Sequence, residues 1–284
     1  MGLLHSLSIV KPRIVALNLL AALAGSVLAS GGAVPWGRAA VLLVLGGLVA
    51  AGCGTIGSYA DRGIDGLMER TRRRPLPSGR IQPWKALSVG LLMIATGLIL
   101  SSIFLNHPTT ALMALGTGVF ILYAFLLKMK TPWSVVIGGV SGSCSLLAGG
   151  AAVGGSLLQP PLSLMALLIF LWTPGHFWSL AIWIEKDYAR AGVPTLPAIY
   201  GVQRSARLAA LSNLLPLPLS VAPYLGRDLG QIYLVAALIA GAAVLLENLR
   251  LSSDPSPERA RRVFKLSGLY LAVLFLAAVL DVAI

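Results

Sequence analysis

Apolar residues gather into nine long blocks, near 14–35, 38–58, 86–105, 109–127, 133–157, 161–184, 206–226, 229–249 and 263–284, separated by short polar turns and Pro/Gly punctuation. Blocks of roughly 18 to 24 residues match what a helix needs to cross a hydrocarbon core of about 30 Å. The pattern predicts an all-α, polytopic membrane protein with about nine transmembrane helices. No stretch between blocks is long enough to fold as a soluble unit, so residues 1–284 read as one integral membrane domain.

Charge tests that count independently. With a cytoplasmic N-terminus, every Lys and Arg except Arg38 and Arg227 falls in a cytoplasmic segment. This positive-inside bias supports nine spans with the C-terminus on the opposite side, and gaining or losing one helix scrambles it. The expected location is a cell membrane, with the ionisable residues toward the cytoplasm.

Composition adds exclusions. The chain is 57% hydrophobic and 11% charged, with a mean hydropathy of +0.84, against about 25% charged residues in soluble domains. The net charge of +12 is accounted for by topology and anionic lipid headgroups, so no nucleic-acid partner is expected. Cys53 and Cys144 fall inside separate blocks, which argues against a disulfide framework or zinc site. His5, His107 and His176 are too dispersed to imply a histidine metal cluster. The first block is too long for a signal-peptide core, and the match of Met1, Gly2 and Ser6 to a myristoylation pattern reads as accidental.

Two cytoplasmic loops are long, about 59–85 and 185–205. They follow the second and sixth blocks, a four-helix offset that hints at duplicated halves. The first contains Asp61 and Asp65, which share one face if the second helix continues past the membrane edge. Two such oxygen ligands suit Mg²⁺, which completes its shell with water and substrate phosphate. Arg70, Arg72, Arg73 and Arg74 follow closely, and guanidinium groups beside carboxylates suit a metal-bridged diphosphate. The plainer alternative is that the acids only offset a topogenic basic run.

The second loop grows out of Trp172-Thr173-Pro174-Gly175-His176-Phe177-Trp178. An ionisable His176 about two turns inside the membrane is costly and usually functional. Pro174 and Gly175 are expected to loosen the helix and aim His176 into a cavity. Trp172, Phe177, Trp178, Trp183 and Tyr188 offer π faces to a flat substrate or carbocation, with interfacial anchoring as the competing explanation. Gly52-Cys53-Gly54-Thr55-Ile56-Gly57 spells a dinucleotide fingerprint, but inside an apolar helix it reads as close helix packing or room for a ligand.

These elements together resemble the UbiA superfamily of intramembrane prenyltransferases, and within it the protoheme IX farnesyltransferase branch. The resemblance is carried by Lys11-Pro12-Arg13-Ile14, Asp61-x-x-x-Asp65, Arg70-Thr71-Arg72-x-Arg74-Pro75-Leu76-Pro77-Ser78-Gly79 and Lys128-x-Lys130-Thr131. Ile137-Gly138-Gly139-Val140-x-Gly142, Pro174-x-His176-Phe177-Trp178 and Lys186-Asp187-Tyr188 with the following Gly-Val-Pro-x-Leu-Pro complete it. It implies farnesyl transfer from farnesyl diphosphate to a vinyl group of haem b, forming haem O for terminal oxidases. Asp61, Asp65 and Asp187 are then the expected Mg²⁺ ligands. Arg70, Arg74, Lys128 and Lys130 are expected to hold diphosphate, and His176 with Trp178 to meet haem, His176 as axial ligand or positioning group. Expected partners are haem b, farnesyl diphosphate, membrane lipid and haem A synthase or oxidase assembly proteins.

The chain departs from that family pattern. Gly54 and Gly57 stand where asparagines are usual, with Ser58 a candidate substitute for their amide oxygens. Gly63 replaces a common third acid, Ser134 an asparagine, and Ser145 and Leu146 a proline pair. Other readings are a prenyltransferase for a quinone or other lipid acceptor, a non-catalytic haem-binding assembly protein, and a secondary transporter. The last places polar groups near the midplane rather than at the cytoplasmic ends.

Overall fold

The computed structural model describes residues 8–283. The myristoylation-like Met1, Gly2 and Ser6, together with His5 and Ile284, lie outside the described residues. The helices are α1 (Pro12–Ser30), α2 (Trp36–Leu67), α3 (Pro83–Phe104), α4 (His107–Leu122, prolonged by a π turn at Tyr123–Leu127), α5 (Ser134–Ala152) and α6 (Pro160–Trp183). They continue with short α7 (Glu185–Arg190) and α8 (Leu196–Tyr200), then α9 (Val202–Leu214), α10 (Pro216–Leu225), α11 (Gln231–Ser253) and α12 (Pro257–Ala283). With α9 and α10 together forming one span, nine spans among the described residues are long and apolar enough to cross a membrane. The chain is a multi-pass membrane protein.

Helix starts follow local chemistry. Proline opens α1, α3, α6 and α10, where its missing N–H costs nothing and its fixed φ suits the first turn. Asn106 caps α4 by accepting from Thr109 N at 2.9 Å. Pro216 divides the seventh span into α9 and α10.

The spans form a closed series of neighbours, α1 through α6, then α9, α11 and α12, with α12 returning to α1. The most extensive contacts beyond this series cross the interior: α1 packs on α5 and α6 on α12. The first is so close that a Cβ on Gly25 or Gly149 would strike the backbone of the opposing helix. The glycines of the apparent dinucleotide fingerprint serve packing in part, since Gly52 lies against Gly90 and Ile94 of α3.

Two boundaries and the interior of one helix differ from the sequence pattern. Helix α2 runs on to Leu67 rather than ending near 58, because its polar last turns contain no proline and fold under a loop that accepts them. Helix α5 stops at Ala152, before a turn with Gly154 at φ 84°. Helix α6 passes unbroken through Pro174, and Gly175 is covered by Asn213 of α9 rather than opening a gap.

Candidate active site

The site grows from the extension of α2. Its last turns carry Asp61 and Asp65, one helical turn apart. Asp65 is 5% exposed, and its Oδ2 accepts from Arg74 at 2.8 Å. Its main-chain oxygen, one of the carbonyls orphaned at a helix end, accepts from Thr71 Oγ1 at 3.0 Å. The Arg-Thr-Arg-x-Arg stretch thus folds back on the helix, its threonine capping and its third arginine pairing.

Asp61 takes partners from distant segments. Lys128 Nζ stands 2.6 Å from Oδ1 and Lys11 Nζ 3.5 Å from Oδ2. The π turn ending α4 delivers Lys128, whose backbone N–H reaches Tyr123 O at 2.9 Å; such turns shift register by one residue and recur at functional sites. Burial alone lowers the Lys128 ammonium, but the Asp61 carboxylate, with Tyr123 and Tyr188, outweighs it and holds Lys128 above the ordinary lysine range. Burial also pushes the Tyr188 phenol up.

Lys11 arrives from the other side. It precedes α1 in the left-handed conformation, φ 55°. Ser58 Oγ lies 2.9 Å from both the Ile9 and Gly54 carbonyl oxygens and binds the segment leading to Lys11 across α2. The Ser58 hydroxyl proton is thus engaged in this clasp. The two glycine departures acquire a reason. A Cβ on Gly54 would collide with the Val10 carbonyl, and one on Gly57 would stand 3.4 Å from Lys11 Nζ and 2.8 Å from Phe120 Cζ. The ammonium occupies space beside position 57. Burial chiefly lowers the Lys11 pKa, Asp61 and Asp65 oppose this, and Lys128 and Arg74 reinforce it.

The two long loops meet over this cluster. Asp187 Oδ1 accepts from Glu69 N at 3.3 Å, Arg190 lies 3.8 Å from Glu69, and Met68, Ala191 and Val193 form a small apolar core with Ile64 and Tyr188. Asp187, expected as a third metal ligand, ties the loops together, and among the described residues no three His, Cys, Asp or Glu groups converge as a metal site. Arg70 is exposed but acts electrostatically on Tyr188. Lys130 is exposed and forms no ion pair among the described residues, whereas Lys11, to which the motif reading gave no role, is central.

Below Lys11 opens an apolar cavity of about 150 Å³ between α1, α2, α4 and α5. Lys11, Gly54 and Phe120 line one end, and Leu42, Ala22 and Ala148 the other. Eleven helical residues separate Lys11 from Ala22, about 16 Å at 1.5 Å per residue.

His176 and Trp178 face different neighbours. Trp178 is buried, its indole N–H donating to Pro132 O at 3.3 Å and its ring edge-on to Trp133. With Phe177 it lines a small cavity shared with Tyr123, Lys128 and Tyr188. His176 lies instead between Trp172 and Phe264, at ring distances of 4.2 and 4.4 Å, with Nδ1 2.8 Å from Ser267 Oγ. Phe264 and Ser267 belong to α12, beyond the stretch that any motif reached.

Comparison with known proteins agrees with this architecture. The chain matches the UbiA prenyltransferase family over residues 18–277. It is 39% identical to protoheme IX farnesyltransferase 1 of Cenarchaeum symbiosum, covering 100% of this chain and 97% of that one. It is 40% identical to protoheme IX farnesyltransferase of Alkalilimnicola ehrlichii, covering 97% and 91%. A digeranylgeranylglyceryl phosphate synthase structure superposes with TM-score 0.81 at 23% identity, over 99% of this chain and 98% of that one. A UbiA homolog from Archaeoglobus fulgidus bound to DMAPP and Mg²⁺ does so with TM-score 0.70 at 17% identity, over 96% and 98%. With a family match across nearly its whole length and relatives at 39 to 40% identity, this chain belongs to the UbiA prenyltransferase family.

Proposed function

We propose that this prenyltransferase moves a farnesyl group from farnesyl diphosphate to a vinyl group of haem b, forming the hydroxyethylfarnesyl group of haem O. The observation that carries the reading is a cluster of Lys11, Lys128 and Arg74 around Asp61 and Asp65 at the mouth of an apolar cavity. The name shared by relatives at 39 to 40% identity supports haem b as the acceptor.

Asp61 and Asp65 have the hard oxygen donors that Mg²⁺ prefers, and two carboxylates suffice when water and diphosphate oxygens complete the shell. Mg²⁺ held there supplies Lewis-acid charge to the departing diphosphate. Three cations against two carboxylates leave one excess positive charge, which suits a diphosphate. Lys11, Lys128 and Arg74 turn from the acids to the phosphate oxygens, with Arg70 and Lys130 as outer contacts.

The apolar cavity takes the farnesyl tail and keeps water from the allylic carbon. The C1–O bond breaks and its electron pair leaves with diphosphate. The terminal vinyl carbon of haem b attacks C1, and water adds at the adjoining carbon and loses a proton, giving the hydroxyethyl group. His176 and the neighbouring rings Trp172 and Phe264 are the groups assigned to haem.

The positive-inside distribution supports a site facing the cytoplasm from a cell membrane, where haem A synthase or oxidase assembly proteins are the expected recipients of product. Purified protein given haem b, labelled farnesyl diphosphate and Mg²⁺ should yield labelled haem O. Labelled product on a quinone precursor with none on haem overturns the assignment.

A further inference from the structure

The ring pair around His176 leaves open which nitrogen a haem would meet, and its α12 neighbours decide it. Trp172 and Phe264 lie on opposite faces of the imidazole, with interplanar angles of 25° and 29°, and restrain the ring's rotation. Ser267 is 1% exposed and makes two separate attachments to α6. Its backbone oxygen accepts from the Trp172 indole at 2.8 Å, and its Oγ meets His176 Nδ1 at 2.8 Å.

A serine hydroxyl has one proton to give. Ser267 Oγ also lies 3.1 Å from the Phe264 carbonyl oxygen, which can only accept. With the hydroxyl proton directed there, Oγ is an acceptor toward Nδ1, so the imidazole proton resides on Nδ1. Nε2 then keeps its lone pair, and it has no hydrogen-bond partner among the described residues. Gly268, the next residue, has no side chain to cover the nearby ring edge; a Cβ there would stand 3.5 Å from Cε1.

We propose that Ser267 is a positioning residue that fixes His176 as its Nδ1–H tautomer and presents Nε2 as the ligating atom for the iron of the haem substrate. This rests on the reading that His176 meets haem. A hydrogen bond to the remote nitrogen of a metal-bound histidine fixes its orientation and raises its basicity, and losing such a partner typically lowers affinity roughly 10- to 100-fold.

The tautomer is measurable without haem. In ¹⁵N-histidine-labelled protein in nanodiscs, the His176 signal, assigned by its loss in His176→Gln, should show a directly bonded proton on Nδ1 and none on Nε2. Ser267→Ala should lose that preference while keeping the Trp172 bond, which uses only backbone, and Ser267→Thr should restore it. Haem b titrated into the same samples should bind roughly tenfold or more weakly to Ser267→Ala, with a shifted Soret band. A wild-type Nε2–H tautomer, an unchanged tautomer in Ser267→Ala, or a changed tautomer with unchanged haem binding overturns the proposal. A Soret band that His176→Gln leaves unaltered overturns instead the reading that His176 meets haem, and the ligation claim with it.

Discussion

Lys128 Nζ lies 2.6 Å from Asp61 Oδ1 across 67 residues of chain, and each side chain is only about one-sixth exposed. A pair so placed holds the end of α4 against the end of α2 and joins the cation proposed for phosphate to the acid proposed for metal. Lys128→Met should lower kcat/KM for farnesyl diphosphate by about 10²-fold or more, the scale on which an oriented electrostatic donor acts. Lys128→Arg, which keeps charge but not shape, should recover part of it. Steady-state kinetics decides; a loss under threefold in Lys128→Met removes Lys128 from the site.

The excess of one positive charge around Asp61 and Asp65 makes a prediction about order of binding. Divalent ion alone is opposed by Lys11, Lys128 and Arg74, and binds well only with diphosphate to draw those cations away. Mn²⁺ monitored by electron paramagnetic resonance should bind at least tenfold more tightly with a non-hydrolysable farnesyl diphosphate analogue present. Arg74→Gln should narrow that gap. Equal Mn²⁺ affinity with and without the analogue contradicts the charge exchange.

Lys11 sets an alkaline limit. Burial lowers its pKa below the ordinary 10.5, while Lys128 is raised, so rising pH discharges Lys11 first. The sign is fixed: activity falls as pH climbs through the depressed lysine value, with Lys128 still charged. Lys11→Arg, whose guanidinium does not titrate in this range, should move the alkaline limb of kcat/KM upward. A limb unmoved by that substitution assigns it to another group.

The count of nine spans was legible because apolar block length is set by the membrane itself. Asp61, Asp65 and Arg74 were legible because they lie within fourteen residues of one another, where helix period and motif suffice. The rest depended on long-range closure. Ser58 meets the Ile9 carbonyl, Asp187 meets Glu69 N, and His176 meets a serine 91 residues away, and no local pattern encodes such partners. The glycines at 54 and 57 read as losses in sequence. In the fold they clear the path by which Val10 and Lys11 reach the site.

That path gives a test by addition. Gly54→Ala adds a methyl group that would strike the Val10 carbonyl, so the strained segment carrying Lys11 must move. Activity should fall about tenfold or more, since small misplacements of positioning groups are costly, and the Lys11-linked alkaline limb should shift. Retention of both the rate and the limb in a folded Gly54→Ala protein shows that Lys11 is not held by this contact.

The cavity beneath Lys11 should measure the prenyl chain. Gly46 lines it on α2, eight residues or about 12 Å of helix from Gly54 near the mouth. A Cβ at Gly46 would meet nothing within 4 Å, so a larger side chain can enter the cavity without displacing backbone. Gly46→Phe should therefore fill the deep half and exclude the last isoprene unit of farnesyl while leaving room for a shorter tail. The expected result is a preference for geranyl over farnesyl diphosphate raised at least tenfold relative to wild type, with an unchanged thermal unfolding midpoint. One large side chain in an apolar channel discriminates on the scale of about 1 to 3 kcal/mol per methylene, which makes a tenfold change readily attainable. Should Gly46→Phe fold normally and keep the wild-type preference, the tail lies elsewhere, and the groove between α6 and α9 near Pro174 and Leu211 becomes the next wall to block.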